Sequence, residues 1–418
     1  MRFLFILVIT AILLGGGALL WASQNLTSEK AVYYPAPKKT LWNFQSIDTM
    51  KYSRDIAREK LRDASFDTVI ARQVKAIADT GATHVAIATP YDEEFVPFLR
   101  RWVGAARTHG LKVWFRGNFS GWEKWFEYPS ISREEHLKKT ETFILAHPDL
   151  FQDGDAFSAC PECENGGTGD PRQTGDVIGY RKFLIAEYGA MQGSFKKINK
   201  NVRANLFSMN GDVARLVMDK ETTKALGGIV TIDHYVKTPE QLVKDIEAIA
   251  KNSGGKVILG EFGAPIPDIH GALSEAGQQQ WIARALELLE TSPDVEGVSY
   301  WLSVGGSTEL WSSQGVPHQA VTTLTDYFKP NVVYGFVRDE LGKSISGAQV
   351  RLDGKSVITD EHGHFALSYR LSEAEEMHIS APGYIGQQQK LAADQQELKV
   401  ILVKEQKDWK FRILEYLQ

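Results

Sequence analysis

The sequence predicts an α/β protein: a (β/α)8 TIM barrel, a small antiparallel β-sandwich after it, and an N-terminal membrane anchor helix before it. Three observations predict this architecture. Residues 41–329 alternate short apolar runs with amphipathic stretches, as strand-then-helix units around a parallel sheet do. From residue 330 the pattern changes to short alternating runs separated by turn signals, as in a sandwich. At the amino terminus, Phe3 to Ala22 form an apolar run of about 20 residues, long enough to cross a bilayer as a helix.

Taken in order, residues 1–23 read as a signal anchor. Arg2 precedes the apolar run, and Leu20-Trp21-Ala22-Ser23 makes a poor cleavage site, which favours an uncleaved anchor over a removed signal peptide. Either alternative places the remainder outside the cytoplasm, membrane-anchored or secreted. Residues 24–40 are polar, contain Pro35 and Pro37, and read as a stalk.

The barrel, residues 41–329, offers eight candidate strands at 42–47, 84–89, 112–116, 156–160, 203–207, 228–232, 256–259 and 297–301. Helical patterns lie between them at 66–80, 95–109, 134–146, 178–198, 239–251 and 275–289. Asp79-Thr80-Gly81 and Thr108-His109-Gly110 read as helix stops. A doubly wound open sheet would carry a glycine-rich phosphate loop after an early strand; the sequence has none there and no P-loop. Residues 330–404 supply six short strands for the sandwich, at 332–339, 347–352, 355–359, 364–369, 377–381 and 397–403. The tail, 405–418, mixes charged and aromatic residues.

Composition narrows the function. A net charge of −5 provides no electrostatic footprint for nucleic acid. The two cysteines, Cys160 and Cys163, cannot staple a whole fold, so burial must stabilise it. Their spacing fits a local disulfide or free thiols. It fits a structural zinc less well, because no second cysteine pair exists, and redox catalysis less well, because a strand precedes the first cysteine.

In a barrel of this kind the active site lies at the carboxyl ends of the strands. The residues after each strand therefore form the candidate rim. Asp48 follows strand one, Arg116, Asn118 and Trp122 follow strand three, and Glu162, Glu164 and Asn165 follow strand four. Ser208 and Asn210 follow strand five, Asp233, His234 and Tyr235 follow strand six, Glu261 follows strand seven, and Trp301 closes strand eight. Carboxylates and amides hydrogen-bond sugar hydroxyls, and tryptophans stack on sugar C–H faces. Cleavage of a glycosidic bond needs two carboxyl groups, one to protonate the leaving oxygen and one to attack or to activate water. Glu261, in Val257-Ile258-Leu259-Gly260-Glu261-Phe262-Gly263, stands directly after an apolar strand between glycines.

These residues resemble the large clan of (β/α)8 glycoside hydrolases with an acid/base on strand four and a nucleophile on strand seven. Gly260-Glu261-Phe262-Gly263 looks like the clan's nucleophile strand, His234-Tyr235 like its strand-six pair, and Trp301 like its sugar platform. The resemblance implies a retaining glycosidase or transglycosidase acting by double displacement on an oligo- or polysaccharide, with Glu261 as nucleophile and no cofactor. It departs at strand four. Where the clan has Asn-Glu, this chain has Ser158-Ala159-Cys160-Pro161-Glu162-Cys163-Glu164-Asn165. Glu162 comes first after the strand, behind Pro161 instead of an asparagine. Glu164, beside Asn165, is the other candidate acid.

The sandwich resembles a carboxypeptidase regulatory-like, transthyretin-like module, through Gly335-Phe336-Val337, Gly347-Ala348-Gln349-Val350 and the turn from Thr359 to Phe365. Such a module is accessory. Two other functions fit the rim: a non-catalytic carbohydrate-binding barrel on the cell surface, and a metal-dependent barrel hydrolase. His84, His234, His270 and His318 lack metal-ligand spacing, so no metal site is expected.

Overall fold

A computed structural model describes residues 40–49, 54–119, 130–166, 169–352, 355–370, 376–391 and 396–405. The expected anchor and nearly all of the stalk, Trp122, and the tail beyond residue 405 lie outside these residues. Among the described residues no helix is long and apolar enough to cross a membrane.

Eight parallel strands form one sheet in the order β4-β3-β2-β1-β8-β7-β6-β5. They are β1 Phe44–Asp48, β2 His84–Ile87, β3 Lys112–Phe115, β4 Ala156–Phe157, β5 Ser208–Asn210, β6 Ile229–Asp233, β7 Lys256–Phe262 and β8 Val295–Tyr300. A parallel bridge between Ala156 and Arg203 joins the β4 edge to the segment leading into β5.

Two strands depart from the sequence reading. Strand five was expected at 203–207. Instead, Arg203 spends its backbone on the β4 side: its N–H donates to Asp155 O, and its carbonyl accepts from Phe157 N–H. Ladder pairing with β6 begins only at Ser208. Strand four was expected to reach residue 160 but stops at Phe157. Ser158 N–H still reaches Phe115 O, and the chain then turns through Cys160–Cys163.

The helices follow the period of their buried faces. In Phe66–Asp79 the buried residues are Ile70, Gln73, Val74 and Ile77; in Val96–Thr108 they include Leu99, Trp102, Val103 and Ala106. Ser132, Thr238 and Ser274 cap the following helices by accepting from the backbone N–H three residues on, which satisfies a donor the helix itself cannot. Arg54–Arg62, Gly211–Val217, Lys220–Ala225 and Gln319–Phe328 are further helices not assigned from the sequence.

Strand alternation sorts side chains into two cores. Phe44, Ala86, Trp114, Ala156, Leu206, Ile229 and Ile258 form a buried cluster inside the barrel. Ile47, Val85, Ile87, Val113 and Phe115 face the helices. Two residues beyond each inward apolar residue, the same face continues toward the strand ends. Ser46 and Asp48 follow Phe44, Arg116 follows Trp114, and Thr231 and Asp233 follow Ile229. This period builds the polar mouth.

The C-terminal domain has two sheets, ordered β11-β10-β13-β14 and β12-β9-β15. Here β9 is Asn331–Asp339, β10 Gln349–Leu352, β11 Lys355–Ile358, β12 His364–Tyr369, β13 Glu376–Ser380, β14 Gln387–Lys390 and β15 Glu397–Leu402. All pairs are antiparallel except β9 with β15, which is parallel. The sequence missed β14 because Gln-Gln-Gln-Lys lies largely exposed and has no apolar alternation. Val333, Val337, Val350, Phe365, Leu367, Ile379, Leu398 and Val400 fill the space between the sheets. Glu290 of the barrel ties this domain down by pairing with Lys355 and Arg370, and Arg370 lies over the Tyr327 ring at 4.1 Å.

Candidate active site

Arg116 organises the mouth. Its guanidinium is buried, and Nη1 lies 2.6 Å from Asp48 Oδ2. Nη2 lies 2.9 Å from Asp233 Oδ2, 2.9 Å from Glu261 Oε1 and 3.1 Å from Ser208 Oγ. The guanidinium also stands over the Trp114 ring at 4.6 Å. One strand period below, Trp114 thus provides the floor on which the cation rests. Burial alone would weaken the cation, but Asp233, Glu261 and Asp48 outweigh it and hold Arg116 well above its ordinary range.

Three carboxyl groups share that one cation. Burial and the neighbouring Glu261 push Asp233 well above the usual carboxylate range. Asp233 and Ser208, rim residues in the sequence that were not singled out as catalytic or binding, belong to this site. The two-residue spacing from Ile229 through Thr231 is the signal that points Asp233 inward.

A bulge in β7 delivers Glu261. Ile232 pairs with Leu259, but Asp233 pairs with Glu261, so Gly260 is an extra residue in the strand. A Cβ at Gly260 would lie 2.4 Å from Asp233 Oδ1 and 3.0 Å from Thr231 Cγ2. Glycine therefore leaves room for the Asp233 carboxyl group, and the bulge turns Glu261 toward Arg116. The other Glu261 oxygen, Oε2, accepts from Tyr235 Oη at 2.8 Å. Burial and the Glu261 charge raise the Tyr235 hydroxyl well above its usual value, so it stays a donor.

The β4 end brings two more acids. Glu162 sits in the left-handed region (φ 49°, ψ 48°), a conformation that costs a residue other than glycine roughly 1–2 kcal/mol. Its N–H donates to Ser208 O at 2.8 Å, and its carbonyl accepts from Asn165 N–H at 2.9 Å. The Glu162 charge contributes to the upward shifts of both Asp233 and Tyr235, the two side chains flanking Glu261. Glu164 Oε1 accepts from Asn210 N–H at 2.7 Å and from Asn210 Nδ2 at 3.0 Å. Burial, with the Glu162 charge adding to it, pushes Glu164 up to about 7 against the Asn210 bonds.

The remaining candidates divide. Asn118 is buried at the end of β3. Asn165 and Trp301 are half-buried at the ends of β4 and β8. His234 turns aside: Nε2 lies 2.8 Å from Asp245 Oδ2, and the ring lies over Gly211, where a Cβ would meet Nδ1 at 2.6 Å. Only its backbone N–H reaches Glu261, at the carbonyl. Cys160 and Cys163 are joined as a disulfide. Among the described residues, the one group close enough to share an ion is these two sulfurs with His136. His84 and His270 make separate backbone contacts, to Gly154 and Val236.

No protein-family model matches the chain, and no curated protein matches it in sequence. Solved structures do match it. Bacteroides uniformis beta-glucuronidase 2, covalently bound to cyclophellitol-6-carboxylate aziridine, aligns over 85% of this chain and 46% of its own, at 12% identity and a TM-score of 0.49. Ruminococcus gnavus b-glucuronidase in complex with D-glucuronic acid aligns over 68% and 49%, at 13% identity and 0.47. This chain thus spans about half the length of those glucuronidases. A GH5_18 protein from Bifidobacterium longum in complex with Manb1-4GlcNAc aligns over 73% of this chain and 86% of its own, at 16% identity and 0.51. The chain shares the (β/α)8 fold of that GH5_18 protein.

Proposed function

We propose that the barrel is a retaining glycoside hydrolase or transglycosidase acting on an oligo- or polysaccharide outside the cytoplasm. One observation carries the reading: Glu261 is gripped by Arg116 and Tyr235 at the mouth, and β4 brings two further glutamates to that same mouth. The apolar run 3–22 and the disulfide support an extracytoplasmic, oxidising location. The sandwich is an accessory module.

In this mechanism Arg116 and Tyr235 orient the Glu261 carboxylate. It attacks the anomeric carbon while Glu162 protonates the departing glycosidic oxygen, leaving a glycosyl ester on Glu261. Glu162 then takes a proton from water, whose oxygen attacks the anomeric carbon and releases Glu261. Glu162 is the better acid candidate because its charge acts on the side chains around Glu261, whereas Glu164 is engaged by Asn210. Asn118, Asn165 and Asn210 supply polar contacts to hydroxyls, and Trp301 a stacking face.

The test is a panel of polysaccharides and aryl glycosides, with Glu261→Gln as control. The expected result is turnover with retained anomeric configuration, and sugar binding without turnover in the variant. Sugar binding by the natural chain with no turnover of any panel member would replace the enzyme with a passive carbohydrate-binding barrel.

A further inference from the structure

We propose that the Cys160–Cys163 disulfide is the positioning device for Glu162, and that it governs leaving-group protonation without governing the nucleophile. The inference rests on the reading of Glu162 as the acid.

Ordinary strand structure does not hold Glu162. The β4 ladder ends at Phe157, five residues earlier. Glu162 and Asn199 are the only residues other than glycine at positive φ among the described residues. Asparagine tolerates that region through its short polar side chain, whereas glutamate has no such local compensation. What encloses Glu162 is the covalent link: Cys160 and Cys163 are joined across it, with Cα atoms 5.0 Å apart. Pro161, inside the same ring, fixes its own φ. Cross-strand support at Glu162 comes from its N–H bond to Ser208 O.

The link has a rigid backing. Cys160 and Cys163 are 4% and 3% exposed. A ring nitrogen of His136 lies within 4.8 Å of both sulfurs. His136 Nδ1 is 3.2 Å from Glu187 Oε1, which also accepts from Thr140 Oγ1 at 2.6 Å. His136 Nε2 is buried with no hydrogen-bond partner. Reduction by a dithiol breaks the S–S bond and adds two electrons and two protons, while the reductant closes to its own disulfide. Two thiols, which are weak donors, then lie near a histidine that has an unmatched nitrogen, and the turn around Glu162 is no longer closed. Glu261 is held by β7, Arg116 and Tyr235.

The experiment compares the full chain, the same chain reduced with dithiothreitol, and Cys160→Ala/Cys163→Ala. The reduced natural chain serves as the second arm if the double variant fails to fold. Mass spectrometry of the denatured, unreduced protein is expected to find no free thiol. Amide hydrogen exchange is expected to rise across residues 158–166 and to stay unchanged in β1 and β7. With aryl glycosides, breaking the link is expected to cost about a hundredfold or more for a poor leaving group, on the scale of general acid catalysis. For a dinitrophenyl leaving group, which needs no protonation, the loss in kcat/KM, which reports the glycosylation step, should be slight. Two free thiols or bound zinc in the untreated protein, unchanged exchange at 158–166, or equal losses with both leaving groups would overturn the inference. Should the natural chain hydrolyse no glycoside, the glycosidase reading fails separately, and the exchange data alone decide whether the link holds Glu162.

Discussion

Strands β7 and β4 both carry acids to the same mouth, by opposite means. The β7 strand is seven residues long, buried beyond its first residue, and uses a one-residue bulge at Gly260 to turn Glu261 inward. The β4 strand is two residues long, and its acids stand on a turn closed by a disulfide. A nucleophile must be fixed against a reacting carbon, and a continuous ladder does that. An acid that later serves as base meets first a leaving group and then water.

The largest expected effect lies on the β7 side. Glu261→Gln removes the attacking oxygen and should lower kcat/KM by about 10⁴-fold or more, on the scale of a lost nucleophile, with sugar binding retained in a calorimetric titration. At β4 the two acids should separate. Glu162→Gln should lower kcat on poor leaving groups by roughly 10²- to 10⁴-fold, the range for a lost general acid, and exogenous azide should restore turnover on activated substrates. Glu164→Gln should cost far less. A reversed order of the two variants would move the acid to Glu164.

Glu164 also makes a stability difference between the two strand ends. Its folded pKa, about 7, lies above the ordinary 4.5. Below 4.5 both folded and unfolded chains hold the proton, and the stability is fully present. As pH rises from 4.5 through 7 the unfolded chain releases the proton first, and stability is lost. At about 1.4 kcal/mol per unit the loss is on the order of 3 kcal/mol. Glu164→Gln keeps an acceptor for Asn210 and should flatten this slope in urea titrations between pH 4.5 and 8. A slope unchanged by the substitution would remove Glu164 as its source. The smallest effect belongs to Gly260→Ala, where the added Cβ meets the Asp233 carboxyl group and should destabilise by roughly 1–3 kcal/mol. Thermal unfolding measures it.

The same contrast explains what was legible in the sequence. The β7 strand could be read because its apolar run is unbroken and Glu261 follows it between glycines. Asp48 and Arg116 could be read as rim residues because strand ends supply a barrel's site. Asp233 could be read as a rim residue in the same way, four residues from Ile229 on the same face, but its place beside Arg116 and Glu261 could not. The bonds from Asn210 to Glu164 span 46 positions, and no local pattern encodes such a contact. The β4 turn escaped for the same reason: its shape is set by the disulfide, Pro161 and a backbone bond to Ser208, not by propensity. Residue 234 shows the converse. It stands in the expected place after β6, but a partner on the following helix, Asp245, takes its ring.

The most direct test of the account is trapping of the nucleophile. Incubation with 2-deoxy-2-fluoro glycosides, followed by peptide mass spectrometry, should find one sugar esterified to Glu261 and none in Glu261→Gln. A sugar adduct on another residue, or an enzyme that hydrolyses the parent glycoside with inversion and leaves Glu261 unmodified, would contradict the account.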